Sequence, residues 1–462
     1  MIRLLNAYFP ARTLFLGISE ACLVALAFVA AAMARLGASD AALMLNYEQG
    51  FLKISVVAGL FITCMYYFDL YDSSILANHR EVITRVIQML GTVCILLAVL
   101  YYIYPPLELG RGIFLIGFVL VAVLLLFWRR LFLKLNSLPQ FAERALILGD
   151  GELAGSLKRE LKSRTELGIR LVGELNIAED WTGKPTSAPE RVEEFLHSVK
   201  SFQPNCVIVA MGDRRGKLPV EALLQLKSQG VRIRDGADMY EAVTGKVPIE
   251  SLRLSWLLFS PGFRVAGPLL IYERVFSLAL CAVGLVLTLP LMILVALAIR
   301  CDSAGPVIFR QKRVGQNGKL FTLYKFRTMV DGADQDGNHR PAEETDHRFT
   351  RVGRVLRRIR IDELPQLFNI LRGDMHMVGP RPFVPNQEQE CLERIPYYRQ
   401  RLVVKPGATG WAQVNRGYNA TIEDNKEKLA YDLYYIKNIS IGLDLLILFK
   451  TMKILLLGRG AR

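Results

Sequence analysis

Apolar residues run in long blocks over the first third of the chain. Four stretches stand out: Leu14–Met33, Phe51–Phe68, Met89–Tyr104 and Ile113–Phe132. The outer two approach the ~20 residues a membrane-crossing helix needs, and the inner two are shorter. No small-residue cleavage pattern follows the first, so it reads as a retained helix rather than a removed signal. Basic residues mark alternate connections. Arg3 and Arg12 precede the first block, His79, Arg80 and Arg85 lie between the second and third, and Arg129, Arg130 and Lys134 end the fourth. The connections Asp40–Glu48 and Pro105–Gly110 are poor in them. Positive charge stays on the cytoplasmic side, so both ends of this four-helix region are expected there.

A fifth apolar block, Val275–Ile299, carries Pro290 inside it. Proline removes a backbone hydrogen bond and crowds the preceding turn, so a helix here should bend. The sequence beyond Arg300 is rich in Lys and Arg, which opposes transfer across a membrane. The segment therefore reads as re-entrant, bending at Pro290 and returning to the face it entered.

Between these blocks the pattern alternates strand-like and helix-like runs. RALILGDGELAGSLKREL reads as a buried strand, a glycine turn and a helix; Ile169–Leu175, Cys206–Met211 and Val231–Ile233 are further strands. A small parallel α/β domain follows. Gly149, Gly151 and Ala154, with Glu174 downstream, meet a relaxed dinucleotide fingerprint. Tight strand–helix turns use glycine anyway, and both readings stay open. A nicotinamide-dependent sugar dehydratase would need a Tyr-x-x-x-Lys pair, which the sequence lacks.

Composition sharpens this picture. Hydrophobic residues make up 52% of the chain and mean hydropathy is +0.27, yet the formal net charge is +14. Such a chain suits an anionic membrane surface. Nucleic acid is not expected as a partner, because the apolar residues come in blocks and no basic low-complexity tail is present. The seven cysteines are scattered without a CxxC pair, which argues against a disulfide framework or zinc site.

The chemistry-bearing residues gather after the fifth block. IFRQKRV and KLFTLYKFRTM read as strands around Gly315 and Gly318, with Lys325 and Arg327 on one face. A polar loop, Asp331–Asp346, precedes VGRVLRRIRIDELPQLFNILRGDMHMVGPRP. Helical spacing of Val355, Ile359, Leu364, Leu367, Phe368 and Leu371 predicts one amphipathic helix, with Arg357, Arg358, Arg360 and Asp362 opposite. Neighbours on a helix point about 100° apart, so Asp362 and Glu363 cannot face each other as a dyad. They can meet a metal or phosphate at a helix end, or do separate jobs; a surface ion-pair helix is the other reading. An Asp beside arginines is expected to be ionised, which suits a nucleophile or a Mg²⁺ ligand. Arginines supply the fork that grips phosphate oxygens. Gly379-Pro380-Arg381-Pro382 fixes the backbone around one arginine, Lys405–Asn415 forms a second rigid turn containing Gln413, and Asp432 follows.

KFRTM, the Asp-Glu-Leu-Pro-Gln-Leu-x-Asn run, LRGDMHMVGPRP, KPGATGWAQVN and YDLYYIKNISIGLDLLILFKT closely resemble the polyprenyl-phosphate hexose-1-phosphate transferases, also called monotopic phosphoglycosyl transferases. The resemblance runs from about Tyr272 to the C-terminus; the earlier residues resemble the large, exopolysaccharide-initiating branch by architecture. It implies transfer of a sugar-1-phosphate from a UDP-sugar to undecaprenyl phosphate, with release of UMP through a phosphosugar–aspartate intermediate. The matching positions would make Asp362 the nucleophile with Glu363 beside it, and both Mg²⁺ ligands. Lys325, Arg327, Arg357 and Arg381 would bind phosphates or nucleotide, Pro380 and Pro382 would shape the uridine side, and Gln413 and Asp432 would line the site. Pro290 would be the helix break. The family commonly has serine before that proline; here it is Leu289, so a hydrogen bond easing the bend comes from Thr288 or is absent.

The expected architecture is thus a multi-pass protein of the bacterial inner membrane. It comprises an N-terminal four-helix transmembrane bundle (1–137), a Rossmann-like α/β middle domain (138–250) and a linker (251–266). An α/β catalytic domain (267–462) follows on the cytoplasmic face, carrying a re-entrant membrane helix (275–300). Expected partners are undecaprenyl phosphate, a UDP-sugar, the lipid bilayer, downstream glycosyltransferases and a second copy of the chain. The C-terminal Leu443–Leu457 is expected at the membrane interface, with Lys450 and Lys453 snorkelling to headgroups.

Overall fold

The computed structural model describes residues 1–76, 78–136, 138, 142–176, 189–212, 214, 217–251, 260, 262–263, 267–333, 346–416 and 421–457. Most of the expected linker 251–266 and of the loop Asp331–Asp346 lie outside the described residues. Two compact units are present: Met1–Ile2 with Tyr8–Met239, and Arg3–Ala7 with Tyr240–Arg462.

In the first unit, helices α1 (Ala11–Leu36), α2 (Ala38–Tyr47), α3 (Gly50–Tyr67), α4 (His79–Ile103) and α5 (Arg111–Asn136) cover the apolar blocks. The third block extends back to His79, and α2 was not anticipated. Val24, Phe28, Phe61, Met65, Val93, Val121 and Leu125 share one core. Lipid is as apolar as these side chains, so close packing and polar contacts must hold such helices together. Gly117 is needed for that packing, since a Cβ there would sit 2.7 Å from the Phe28 ring. A buried ion pair adds to it: Arg129 Nε lies 2.7 Å from Glu20 Oε1, and Arg129 also donates to the Leu70 carbonyl at 2.8 Å.

A four-stranded parallel sheet follows, built from β1 (Glu143–Leu148), β2 (Ile169–Leu175), β3 (Cys206–Val209) and β4 (Arg232–Asp235) in the order β2-β1-β3-β4. Helices α6 (Glu152–Ser163), α7 (Pro189–Phe202), α8 (Val220–Ser228) and α9 (Gly236–Thr244) connect or follow the strands. Gly149 ends β1 with φ +120°, and a Cβ there would meet the Ala210 backbone at 2.9 Å, so glycine is required. Gly151 caps α6 at its N-terminus, and Glu174 is paired with Lys158 at 2.5 Å.

The second unit is organised along α10 (Gly267–Asp302), which continues through Pro290. Pro290 leaves the ladder one donor short, and Thr288 Oγ donates to the Gly284 carbonyl at 2.7 Å. Together α1, α3, α4, α5 and α10 are five helices long and apolar enough to cross a membrane, so the chain is a membrane protein. The hairpin β5 (Ile308–Val314) and β6 (Leu320–Phe326) is antiparallel. Then come α11 (Arg351–Arg358), α12 (Gln366–Arg372), β7 (His376–Val378), α13 (Pro385–Arg394), β8 (Gly407–Thr409), α14 (Trp411–Asn415), α15 (Ile422–Asn438) and α16 (Ile441–Leu457). The first half of α10 is pinned by Met377 N donating to Ser277 Oγ at 3.0 Å and by Arg274 donating to the Ile370 and Leu371 carbonyls. Its second half packs Met292, Val295 and Ile299 on Phe326 and Leu356. At its end, Asp302 accepts from Val352 N at 3.0 Å.

Two expectations are corrected here. The single helix across Val355–Leu371 is broken: Arg360 is left-handed at φ 57°, and Ile361–Glu363 is a 3₁₀ turn. Pro365 is the reason, because its ring would clash with the Ile361 carbonyl of a continuous helix. Lys450 does not snorkel; its ammonium lies 4.4 Å from the Trp411 ring centre and donates to Asn415 at 2.7 Å.

Asp444, 2% exposed, accepts from Tyr272 and Tyr435 at 3.0 Å each. Burial pushes its carboxyl up to about 7, with the two phenols pulling the other way. A raised carboxyl pKa stabilises the fold below the unfolded value of about 3.9 and loses that contribution as pH climbs through the folded value. Melting curves at pH 5 and pH 8 should therefore show a steeper loss of stability in wild type than in Asp444→Asn, by about 1.4 kcal/mol for each unit of displaced pKa. Equal pH slopes would show that Asp444 does not titrate as described.

Candidate functional site

The break between α11 and α12 places two adjacent carboxylates in one short turn. Thr350 caps α11 by accepting from Gly353 N at 2.9 Å. A Cβ at Gly353 would fall 2.0 Å from the Thr328 carbonyl, so α11 lies tightly against the chain leaving β6. On the far side, Asn369 holds α12 to β6. Its Oδ1 accepts from Tyr324 N at 3.1 Å and its Nδ2 donates to the Thr322 carbonyl at 2.7 Å. A fully buried side chain thus substitutes for a neighbouring strand. These anchors bring Lys325, the penultimate residue of β6, to Glu363 at 2.9 Å.

Arg381 reaches the same atom from another element, donating to Glu363 Oε1 at 3.0 Å. Its turn is pressed against β8 by three glycines in backbone contact. A Cβ at Gly407 would lie 2.1 Å from Gly379 N, and one at Gly410 would lie 2.2 Å from the Gly379 carbonyl. That contact explains why both glycine-rich motifs carry glycine where they do.

The two carboxylates differ electrostatically. Burial raises Asp362, with Lys325 the largest opposing influence; the negative charge of Glu363 adds to the rise, while Arg357 and Arg381 counter it. This corrects the expectation that neighbouring arginines alone set its state: desolvation outweighs them. Burial would also raise Glu363, but Lys325 and then Arg381 overcome it and hold that carboxyl well below the usual range. Asp362 is 8% exposed and accepts no hydrogen bond among the described residues. Both cations fall on Oε1 of Glu363, and among the described residues no hydrogen bond reaches Oε2. These hard oxygens suit Mg²⁺, which commonly takes one or two carboxylates together with substrate phosphates. Among the described residues, no group of three or more His, Cys, Asp or Glu forms a self-sufficient metal cage.

Lys325, Asp362, Glu363 and Arg381 therefore converge, with Arg357 in electrostatic range and its guanidinium 4.7 Å over the Phe349 ring centre. Arg327 does not join them. Strand β6 ends at Phe326, and Arg327 turns away to donate to the Ser303 and Ala304 carbonyls at 2.8 and 2.9 Å. Pro380 and Pro382 shape the Arg381 turn through their carbonyls, which accept from Gly407 N and Arg313. Gln413 donates weakly to Ala408 at 3.4 Å, and its buried Oε1 has no hydrogen-bond partner among the described residues. Asp432 is buried against Arg401 at 3.1 Å. Pro290 lies within α10, in the membrane helix rather than the charged cluster. Asn369, Arg401 and Glu388 were missed by sequence reasoning. Asn369 belongs to a quoted motif and could have been found there; Arg401 and Glu388 carry no local signal.

Comparison with known proteins matches residues 269–458 to the bacterial sugar transferase family and residues 66–234 to a CoA-binding domain family. An Aeromonas hydrophila UDP-N-acetylgalactosamine-undecaprenyl-phosphate N-acetylgalactosaminephosphotransferase is 43% identical over 223 residues, 48% of this chain and 52% of that protein. A Komagataeibacter xylinus undecaprenyl-phosphate glucose phosphotransferase is 36% identical over 337 residues, 70% of this chain and 60% of the relative. A Caulobacter vibrioides UDP-glucose:undecaprenyl-phosphate glucose-1-phosphate transferase is 44% identical over 189 residues, covering 40% and 69%. The chain spans between 52% and 66% of the length of the first three curated relatives it matches.

Gly410→Ala should disrupt the contact with the Gly379 carbonyl, costing about 1–3 kcal/mol as overpacking does. The expected result is a lower melting temperature, with faster amide exchange in segment 376–382. A variant with unchanged stability and exchange would show that the two turns can separate freely.

Proposed function

Because the chain belongs to the bacterial sugar transferase family, we propose that it transfers a sugar-1-phosphate from a UDP-sugar to undecaprenyl phosphate and releases UMP. One observation carries this reading. A buried carboxylate without a hydrogen-bond partner among the described residues, Asp362, sits beside Glu363, which holds a lysine and an arginine on one oxygen. The relatives' names, which specify UDP-sugar donors and undecaprenyl phosphate, support the substrate classes.

In this reading an Asp362 oxygen attacks the sugar-bearing phosphorus as the bond to the UMP oxygen breaks, forming an acyl phosphate. A phosphate oxygen of the lipid then attacks the same phosphorus. The bond to Asp362 breaks, the carboxylate is regenerated, and a lipid diphosphate sugar leaves. Lys325, Arg357 and Arg381 offset the diphosphate charge, which would otherwise repel the attacking carboxylate. Asp362 and Oε2 of Glu363 would hold Mg²⁺, which supplies further charge neutralisation at the diphosphate. Arg327 is assigned to anchoring the end of α10, away from the substrate.

We assign the same overall organisation to the membrane: four spanning helices, a Rossmann-like middle domain, and a cytoplasmic catalytic domain at a bacterial inner membrane. Re-entry of α10 is supported by its contacts, since β7 and α12 grip its first half and β6 and α11 its second. Both ends therefore attach to elements of one compact unit. The basic residues flanking α1 and α5 support cytoplasmic placement of their ends.

The direct test measures UMP release by the full chain in detergent with Mg²⁺, undecaprenyl phosphate and UDP-glucose or UDP-N-acetylgalactosamine. Lipid-dependent release is expected with at least one donor, with Asp362→Asn slower by about a thousandfold or more. Wild-type rates in that variant would remove Asp362 as nucleophile. The pH profile gives a second check. The attacking form is deprotonated, so the single-turnover rate should fall on acidification at a pH above the ordinary carboxylate range. Glu363→Gln removes a negative neighbour, so its acidic limb should move to lower pH. A shift to higher pH would contradict this assignment.

A further inference from the structure

Four consecutive carbonyls of the Arg381 turn are held by donors from three places: the start of β8, Arg401 and the end of β5. Pro380 accepts from Gly407 N at 3.0 Å, Arg381 from Arg401 Nη2 at 2.8 Å, Pro382 from Arg313 at 3.2 Å and Phe383 from Val314 N at 3.0 Å. Arg401 differs from the other donors because it is a buried charge, 4% exposed. Its Nε donates to Asp432 at 3.1 Å; its Nη1 donates to Tyr398 Oη at 2.7 Å and to Glu388 at 3.4 Å. Its guanidinium also lies 4.5 Å over the Phe383 ring centre, within the turn it supports.

Burying this many charges is a poor way to gain stability, because well-packed apolar side chains of similar volume usually do as well or better. What the arrangement supplies is geometry. A planar fork fixed on two carboxylates presents one N–H in a set direction, and a lysine could not reproduce that. The one backbone group receiving that N–H is the carbonyl of the arginine that grips Glu363.

We propose that Arg401 is a positioning residue for Arg381, with Asp432 and Glu388 orienting its guanidinium. This arrangement keeps the Arg381 side chain directed at Glu363 and ready to exchange that carboxylate for a phosphate oxygen of the donor. The inference rests on the transfer reaction proposed above for the role of Arg381, but the structural coupling can be measured without it. Asp432 then acts from behind the turn rather than on the substrate.

Arg401→Lys in the full chain keeps the buried charge and removes the fork. Hydrogen exchange read by mass spectrometry should speed up at least tenfold in segment 376–384, with the melting temperature of the remainder nearly kept. The KM for the UDP-sugar should rise, and kcat/KM should fall by about 10–100-fold, the scale on which a displaced binding group acts. In an Arg381→Gln background the same change should cost less than about threefold, because the residue it positions is already gone. Unchanged exchange in the turn, or a full additive loss in the double variant, would overturn the proposal. If Arg401→Lys does not fold, Asp432→Asn loosens the same guanidinium and should shift exchange and KM in the same directions; no shift in either would equally overturn it. Absence of UMP release by the wild type with every donor would sink the transfer reading alone, and the exchange measurement would still decide whether Arg401 holds the turn.

Discussion

Two cations share a single oxygen of Glu363, and much of the second unit can be understood as the means of bringing them there. Lys325 arrives from the end of a β-hairpin and Arg381 from a proline-flanked turn, at 2.9 and 3.0 Å. The two meet directly where Arg313 and Val314 at the end of β5 donate to the Pro382 and Phe383 carbonyls. The hairpin is tied to α12 by Asn369, and the turn is pressed on β8 by three glycines whose backbones touch. Removing Glu363 would leave two like charges facing a common space, which explains why its carboxyl is held so strongly ionised.

The same arrangement sets the condition of Asp362. It shares the break between α11 and α12 but not the ion pairs, so desolvation governs its carboxyl and the cations only moderate the effect. Glu363 is held by two cations, whereas Asp362 has no hydrogen-bond partner among the described residues.

Attachment to the membrane follows a parallel logic. Helix α10 runs unbroken through Pro290 and is gripped along its length by the elements that build the charged cluster. Its anchors at Arg274, Ser277 and Asp302 are all polar side chains meeting backbone groups of the second unit. The position of the membrane helix and the geometry of the cluster are thereby properties of one packed body.

Much of this was legible along the chain, and for identifiable reasons. The membrane helices showed as uninterrupted apolar blocks because lipid imposes one local rule on every residue of a span. The parallel strands showed as short apolar runs after turns, and the glycine at 149 because only glycine tolerates its φ and its neighbour Ala210. Lys325, Asp362, Glu363 and Arg381 stood within motifs. Other features depended on contacts between distant segments. The apolar periodicity across Val355–Leu371 predicts one helix, but Pro365 and the left-handed Arg360 divide it. Arg327 shared a strand pattern with Lys325 and parted from it because the strand ended at Phe326, a decision made by its contacts with Ser303 and Ala304. Arg401 looked like any surface arginine; only folding buried it against Asp432 and Glu388, since nothing in a residue's local sequence records which charges the chain will later bring beside it. The sequence by itself determined the membrane segments, the alternating strands and the motifs that carry the candidate site residues, while the tertiary structure decided which charges meet and which carboxylate has no hydrogen-bond partner among the described residues, because pairing and desolvation arise only between segments far apart in the chain.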